Sequence, residues 1–296
     1  MSDGLYLGID GGGSKCRARI RDSAGRLLGE AEGGHANIYR DKAEAMESIL
    51  ATARAAAVQA GSDENDLSHL HAGLGLAGIT TEVMAREIER EAWPFASVTA
   101  DNDAYAACLG AHEGHDGGIV ITGTGSAALA VIKGHRHALG GWGFQIGDDG
   151  SGARIGHAAV RRAVLAGDNL APRSPLLTSI LAKFDNQLAA ITAWARHAEA
   201  GDYAQYAPQV IAAGEAGDTE ARAILRGAGQ SLGDMLLALR GFGAPRLSLI
   251  GGLAQAIQPW LPENYRSLIA PALSDPVDGA ILMARRRHQR DEVAPW

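Results

Sequence analysis

The stretch LYLGIDGGGSKCRARI, from Leu5 to Ile20, constrains the fold most because it places three glycines between two apolar segments. Residues 16–20 alternate with the period of a β-strand, so the stretch predicts a strand, a glycine turn and a second strand. It matches neither common phosphate motif, because G-x-x-x-x-G-K-[ST] needs a lysine directly after the last glycine and G-x-G-x-x-G needs a following helix. The sequence therefore predicts a β-hairpin whose tip can bind an anion through backbone N–H groups and a serine hydroxyl.

Composition narrows the function classes. The chain has 296 residues, of which 46% are hydrophobic, and this length suits two domains or one large one. Its net charge of −7, with no basic block, argues against a nucleic-acid or membrane-surface partner. The N-terminus lacks the pattern of a signal peptide, and no apolar run reaches the length of a membrane span, which predicts a cytoplasmic protein. Two cysteines are too few for a disulfide scaffold or a Cys-ligated metal site.

Periodicity and capping residues predict the order βββαβαβα for the first part of the chain. A second series of strand, glycine turn and strand begins at Gly117, about 110 residues after the first, and this echo predicts a duplicated lobe. We expect lobes at residues 1–114 and 115–296, with the C-terminal helix able to pack back on the first lobe. That helix is predicted over Asp278 to Arg287, with Arg285 to Arg287 as a solvated end.

Four segments share one character, a strand that runs into glycines and small polar residues. They are DGGGS at 10–14, TADNDA at 99–104, TGTGS at 122–126 and GGLA at 251–254. In open sheets the ligand crevice lies at the carboxyl ends of strands, so we expect these segments to converge on one cleft between two lobes. Donors for phosphate oxygens, a carboxylate for a metal and a carboxylate for a hydroxyl proton are what phosphoryl transfer requires.

Taken in order, these segments and GGWGFQIGDDGSG at 140–152 resemble one family. They are similar to the glucosamine and N-acetylglucosamine kinases of the BadF/BadG/BcrA/BcrD-type ATPase family, within the actin-like ATPase superfamily. The resemblance implies an α/β, two-lobed actin-like ATPase (ribonuclease H-like) fold, with duplicated βββαβαβα lobes and a cleft between them. It further implies a homodimer that uses Mg²⁺ and ATP to phosphorylate the 6-hydroxyl of an amino sugar.

The resemblance also implies a role for each matching residue. Asp103 would take the proton of the sugar 6-hydroxyl, and Asp10 would lie near magnesium, through water. The expected ATP-binding residues are Gly11, Gly12, Gly13, Ser14, Lys15, Thr124, Gly125, Ser126, Gly251 and Gly252. The expected sugar-binding residues are Asn37, Asp103, Gly141, Trp142 and Asp148.

Residue chemistry supports part of this assignment and leaves alternatives open. Asp103 at a helix N-terminus is expected to stay ionised, with a lowered pKa, because N–H donors and the helix dipole favour the carboxylate. The same aspartate can equally be a plain N-cap. Trp142 can fill a gap in the core instead of facing a sugar, and Asn37 can form an Asx-turn.

One departure from the family pattern bears on the substrate. Acetyl-sugar kinases of the family carry Asn after the TGTGS loop, whereas this chain has Ala127. A free amine attracts a carboxylate, and Asp148 and Asp149 are candidates, so glucosamine is the first choice and N-acetylglucosamine the alternative. Two other classes remain open, a nucleotide-driven activator and a sugar-sensing protein without catalysis.

Overall fold

The computed structural model describes residues 4–13, 15–63 and 66–293. It divides the chain into two compact units. The first unit contains the residues up to Asp116 together with those from Ala272 onward, and the second contains Gly117–Pro271. The division therefore falls at 116 where we expected 114, and the C-terminal segment belongs to the first unit.

The first unit is built on a five-stranded sheet. Its elements are β1 (Leu5–Gly11), β2 (Cys16–Arg21), β3 (Leu27–Gly33), α1 (Lys42–Gln59), β4 (Leu70–Leu76), α2 (Glu82–Glu89), β5 (Ser97–Asn102) and α3 (Asp103–Ala111). The strand order is β3-β2-β1-β4-β5, with β1 to β3 antiparallel and β4 and β5 parallel to β1. The structure thus confirms the predicted hairpin and the order βββαβαβα.

The second unit repeats this plan in part. Its elements are β6 (Gly117–Thr122), β7 (Ser126–Ile132), β8 (His135–Gly140), α4 (Gly152–Gly167), α5 (Pro175–Ala182), α6 (Leu188–Ala195), α7 (Ala200–Ala204), α8 (Ala207–Glu215), α9 (Thr219–Gly241), β9 (Leu247–Ile250), α10 (Ala254–Ile257) and α11 (Glu263–Arg266). The strand order is β8-β7-β6-β9, again an antiparallel trio with one parallel strand beside its first member. Within residues 117–271 no strand corresponds to β5, and six helices separate the trio from β9.

Helix starts follow the capping residues that the sequence offers. Asp41 accepts a hydrogen bond from the Glu44 N–H at the start of α1, as is usual for an aspartate at the N-cap. Ser151 caps α4 in the same way. At α3 the cap is Asn102, whose side chain accepts from the Tyr105 N–H at 2.7 Å, so Asp103 is the first helical residue and not the cap.

The final helix, α12 (Pro276–Val293), packs on the first unit through glycines. A Cβ added at Gly8 of β1 would lie 2.2 Å from the Val277 carbonyl oxygen, and one at Gly73 of β4 would lie 1.9 Å from that of Ala280. Only glycine permits backbones to approach so closely. The helix therefore lies directly against β1 and β4.

The predicted solvated end of α12 is wrong for two of its three arginines. Arg285 donates to the carbonyl oxygen of Asp22, and Arg286 donates to that of Gly114. Arg285 also lies over the Tyr6 ring, 5.0 Å from its centre.

Among the residues that the structure describes, none of the helices has the length and apolar composition that crossing a membrane requires.

Candidate active site

The first glycine loop joins β1 to β2, and its glycines have different environments. A Cβ at Gly11 would lie 2.6 Å from Leu76 Cδ2 and 3.0 Å from Ala36 Cβ, so this glycine is required by packing. Gly12 and Gly13 are open by the same measure, with no atom nearer than 3.4 Å. The Gly12 N–H donates to the Lys15 carbonyl at 2.9 Å, so this donor is used inside the turn and not by an anion. Ser14 lies outside the described residues.

Lys15 follows this loop but contacts a carboxylate. Its Nζ lies 2.9 Å from Glu32 Oε2 across the sheet, and both side chains are more than half exposed. A phosphate would compete with this exposed pair, which contributes little to stability. A contact between Lys15 and ATP therefore stays a prediction.

Asn37 lies in a segment that hydrogen bonds attach to the ends of β1 and β4. The Ala36 N–H donates to the Gly12 carbonyl, and the Ile38 N–H donates to that of Ala77. The Asn37 Oδ1 atom accepts from the Tyr39 N–H at 3.0 Å, which is the Asx-turn that the sequence left open. Its Nδ2 lies 4.0 Å from the place of a Cβ on Gly13, so the amide donors remain beside the glycine loop. A sugar contact is compatible with this geometry and stays a prediction.

Asp103 lies close to the end of β1. Gly75 of β4 pairs with Asp10 on one side and with Asp101 on the other. A Cβ at Gly75 would lie 3.8 Å from the Asp103 Cα, so the start of α3 reaches across β4 towards β1. The parallel arrangement of β1, β4 and β5 therefore brings Asp10, Asp103 and the first glycine loop to one edge of the sheet.

The expected lowered pKa of Asp103 is wrong. Burial raises the pKa of its carboxyl, and the negative charge of Asp10 raises it further. The Ala104 N–H, which donates to Oδ1 at 2.8 Å, lowers the pKa but does not offset the burial. A raised pKa makes Asp103 a better proton acceptor than an exposed aspartate.

This pKa predicts the acid limb of the pH profile. The resemblance makes Asp103 the base of a kinase reaction, and a base acts only when ionised, so it predicts that kcat/KM falls as the pH drops through the raised pKa of Asp103. The limb should lie above the ordinary aspartate value of about 3.9. Initial rates across the acid pH range measure the position of this limb. Circular dichroism at the same pH values checks that the protein stays folded. A limb at or below the ordinary value would contradict the assignment.

Asp10 forms an ion pair that the sequence did not predict. Arg17 Nη2 lies 2.7 Å from Asp10 Oδ2, and Arg17 Nε donates to the same oxygen at 3.2 Å. Within the described residues, the other carboxylate oxygen has no hydrogen-bond partner in the protein. Magnesium is usually bound by one or two carboxylates, waters and substrate phosphates. One open carboxylate oxygen beside a glycine loop fits a water-mediated magnesium site.

The second glycine loop joins β6 to β7 in the second unit. The Gly123 N–H donates to the Gly125 carbonyl at 2.9 Å, and the Gly152 N–H of α4 donates to the Gly123 carbonyl at 2.8 Å. Ser126 is buried, and its hydroxyl donates to the Asp149 carbonyl at 2.8 Å, so it serves the loop structure. Thr124 is the exposed polar side chain at the tip.

The stretch after β8 is a glycine-rich loop that presents Trp142. Gly140, Gly141 and Gly143 have φ of 69°, 72° and 87°, which side-chain-bearing residues rarely adopt. Trp142 is 74% exposed, so the alternative that it fills a core gap is excluded. An exposed tryptophan between glycines is available to cover one face of a ligand.

Asp148 is turned inward at the other end of this loop. It is buried, and its carboxylate accepts backbone N–H bonds from Ser126 and Gly143. Burial, with a smaller contribution from the charge of Asp149, raises the pKa of Asp148 despite these bonds. A Cβ at Gly125 would lie 2.9 Å from Asp148 Oδ2, so this aspartate ties the tryptophan loop to the second glycine loop. A sugar contact by Asp148 stays a prediction.

The turn after β9 contains two glycines whose surroundings differ. Gly251 has a φ of 101°, and a Cβ there would lie 2.3 Å from the Thr122 carbonyl oxygen. Gly252 has no atom within 4 Å of such a Cβ, so its surface is open. Gly252 therefore keeps an open surface for the expected contact with ATP, whereas Gly251 is needed to pack against β6. Both expected ATP contacts stay predictions.

Sequence reasoning missed Arg17 as a partner of Asp10 and Asn102 as the cap that orients Asp103. The alternation in CRARIR did place Arg17 and Asp10 on strands that are sequence neighbours, which was a usable signal. The second signal was the preference of asparagine for the N-cap position, which favours Asn102 as the cap and Asp103 as the first helical residue.

The two sheets share one plan, because each begins with a strand, a glycine loop and an antiparallel strand. This repeat agrees with the actin-like ATPase fold that the resemblance implies. The chain belongs to the BadF/BadG/BcrA/BcrD ATPase family, whose model matches residues 7–284.

Individual relatives agree with this family. The chain is 38% identical over 279 residues to a protein of Vibrio cholerae named glucosamine kinase GspK, covering 94% of this chain and 95% of that one. It is similar to the crystal structure of a candidate N-acetylglucosamine kinase from Chromobacterium violaceum, with a TM-score of 0.87, 35% identity and coverage of 96% and 100%. A glucokinase of the ROK family from Streptomyces griseus, at 20% identity, a TM-score of 0.55 and coverage of 96% and 100%, shares the fold alone.

Proposed function

We propose that this protein transfers the γ-phosphoryl group of ATP to the 6-hydroxyl of an amino sugar, with glucosamine as the first choice. Its family and its kinase-named relatives make it an ATP-dependent sugar kinase that acts on amino sugars. The observation that carries the reaction is Asp103, a partly buried carboxylate of raised pKa beside Asp10 and the first glycine loop.

In this proposal Asp103 orients the sugar hydroxyl and accepts its proton during transfer. Magnesium, when bound, neutralises charge on the transferring phosphates, and Asp10 would bind it through water. The open backbone at Gly12 and Gly13 and the exposed Thr124 would contact the triphosphate, and Gly252 would border the adenosine. Asn37 and Trp142 would contact the sugar.

The choice of glucosamine rests on residue 127 and on charge. A Cβ at Gly141 would lie 3.4 Å from the Ala127 Cβ, so this side chain adjoins the tryptophan loop. Alanine offers no hydrogen bond there, whereas the acetyl-sugar kinases that the sequence resembles have an amide. Asp149 is 60% exposed and lies 3.3 Å from Arg154 Nε, so a carboxylate is present next to Asp148 to attract an ammonium group.

N-acetylglucosamine is the alternative substrate, supported by the name of the Chromobacterium relative. A nucleotide-driven activator would use cysteines for an iron–sulfur cluster. Cys16 and Cys108 are both buried, and burial raises the pKa of Cys16 to about 11, which does not favour that class. The homodimer and the cytoplasmic location that the sequence suggests stay predictions.

A sugar panel tests the proposal. We expect magnesium-dependent ADP release with glucosamine, a lower kcat/KM with N-acetylglucosamine, and little release with glucose. Coupled ADP detection with and without magnesium measures this. Equal rates with glucose and glucosamine would show that the amine is not recognised, and no release with any sugar would leave a sensing protein as the better assignment.

The variant Ala127→Asn sharpens the substrate choice within the same panel. The added amide can donate to an acetyl group, so we expect the ratio of kcat/KM for N-acetylglucosamine to that for glucosamine to rise by roughly tenfold, the value of one hydrogen bond. Ala127→Ser, which adds a shorter polar group, is the matched control. An unchanged ratio in Ala127→Asn would show that residue 127 does not affect the choice between the two sugars.

A further inference from the structure

Strand β2 presents three arginines on one face, and each contacts aspartates. Arg17, Arg19 and Arg21 alternate with the buried Cys16, Ala18 and Ile20. Their partners are Asp10 on β1 and the pair Asp275 and Asp278 at the start of α12. We call these six charged residues the arginine ladder. It lies entirely within the first unit.

Arg17 contacts Asp10 in an asymmetric way. Its Nη2 and Nε atoms both donate to Oδ2, at 2.7 and 3.2 Å, and leave Oδ1 without a partner in the described part of the protein. The ion pair of Arg21 differs, because Arg21 donates to both oxygens of Asp278, at 2.7 and 3.0 Å. Arg17 thus fixes the Asp10 carboxylate and keeps one of its oxygens open.

Asp275 also fixes Arg17. Its Nη1 atom lies 3.6 Å from Asp275 Oδ2, and Asp275 accepts from Arg19 at 2.9 and 3.1 Å. Asp275 in turn accepts from the Asp278 N–H at 3.0 Å, which anchors it to the first turn of α12. A long side chain that is already ordered pays less conformational entropy when it orders its partner. Asp10 is therefore oriented before any ligand binds.

We infer that Arg17 is a positioning residue for the metal-dependent half of nucleotide binding, because it orients Asp10 with one oxygen open to magnesium-bound water. This inference rests on the proposed kinase function. It assigns to Arg17 no contact with ATP or with the sugar. Its expected signature is a loss of the benefit that magnesium gives to nucleotide binding, while binding of the metal-free nucleotide is unchanged.

The test uses four forms of the full chain: wild type, Arg17→Gln, Arg17→Lys and Arg21→Gln. Calorimetry measures ADP binding with magnesium and with EDTA. Wild type should bind MgADP more tightly than metal-free ADP. In Arg17→Gln we expect this ratio to fall by roughly tenfold, since a charge-assisted hydrogen bond is lost. Arg17→Lys should keep part of the ratio, because lysine retains the positive charge but lacks the planar guanidinium that donates two hydrogen bonds.

Arg21→Gln is the matched control. It breaks an ion pair on the same face of β2, between Arg21 and Asp278, that does not involve Asp10. It should keep the wild-type ratio even if its melting temperature falls. The KM for MgATP should rise in Arg17→Gln with the KM for sugar unchanged. A wild-type ratio in both Arg17 variants, or an equal loss in Arg21→Gln, would overturn the inference. Absence of any MgADP binding by wild type would instead count against the proposed kinase itself.

Discussion

Replacing Asp103 by Asn should reduce kcat by roughly 10²- to 10⁴-fold, the usual contribution of a general base. Asparagine has almost the same shape, and its oxygen can still accept the Ala104 N–H that Asp103 Oδ1 accepts at 2.8 Å. The fold and the start of α3 should therefore persist. Binding of sugar and of MgADP, measured by calorimetry, should stay close to wild type while turnover is lost.

The matched control for this prediction is Asp101→Asn. It removes the same charge two residues earlier, from a carboxylate that accepts the Asn102 N–H at 2.8 Å. We expect that variant to keep most of its activity. Full turnover in Asp103→Asn would end the assignment of Asp103 as the base, and equal losses in both variants would point to a general charge effect.

Replacing Gly279 by Ala should lower the free energy of unfolding by about 3 kcal/mol or more, at the upper end for overpacking. An added Cβ would lie 1.8 Å from the Ala106 carbonyl oxygen and 2.6 Å from the Gly110 nitrogen. Both atoms belong to the backbone of α3, which cannot move aside as a side chain can. Helices α3 and α12 would have to separate, and thermal or urea unfolding would report the loss.

Gly227→Ala provides the control for Gly279→Ala. Gly227 is also a helical glycine, but a Cβ there would meet no atom within 4 Å. Alanine should stabilise α9 by up to about 1 kcal/mol through its higher helix propensity. If Gly279→Ala unfolded at the wild-type temperature, the close approach of α3 and α12 would not hold in solution.

The local parts of the fold were predictable from sequence. Alternation in CRARIR, the cap at Asp41 and the glycine turns gave the order of elements in the first unit, because each signal acts over a few residues. The repeat at Gly117 predicted the antiparallel trio of the second sheet as well. The missing counterpart of β5 was not predictable. It would follow β9, where Ile269 forms only an isolated parallel bridge with Leu247.

The site was predictable only as a set of residue types. The sequence identified Asp103 beside a helix start and expected a lowered pKa from local N–H donors. The structure raises that pKa, because burial and the charge of Asp10 outweigh the local hydrogen bond. Arg285 and Arg286, expected to be solvated, bind carbonyl oxygens far away in the chain.

The sequence by itself determined which segments become strands, where the glycine turns fall and which carboxylates are available, since these follow from side-chain period and backbone freedom. Only the tertiary structure decided that Asp10 is paired with Arg17, that Asp275 fixes Arg17, and that Gly73 and Gly279 admit α12 against β4 and α3. Burial, charge pairing and close packing join residues distant in sequence, and no local pattern specifies such partners.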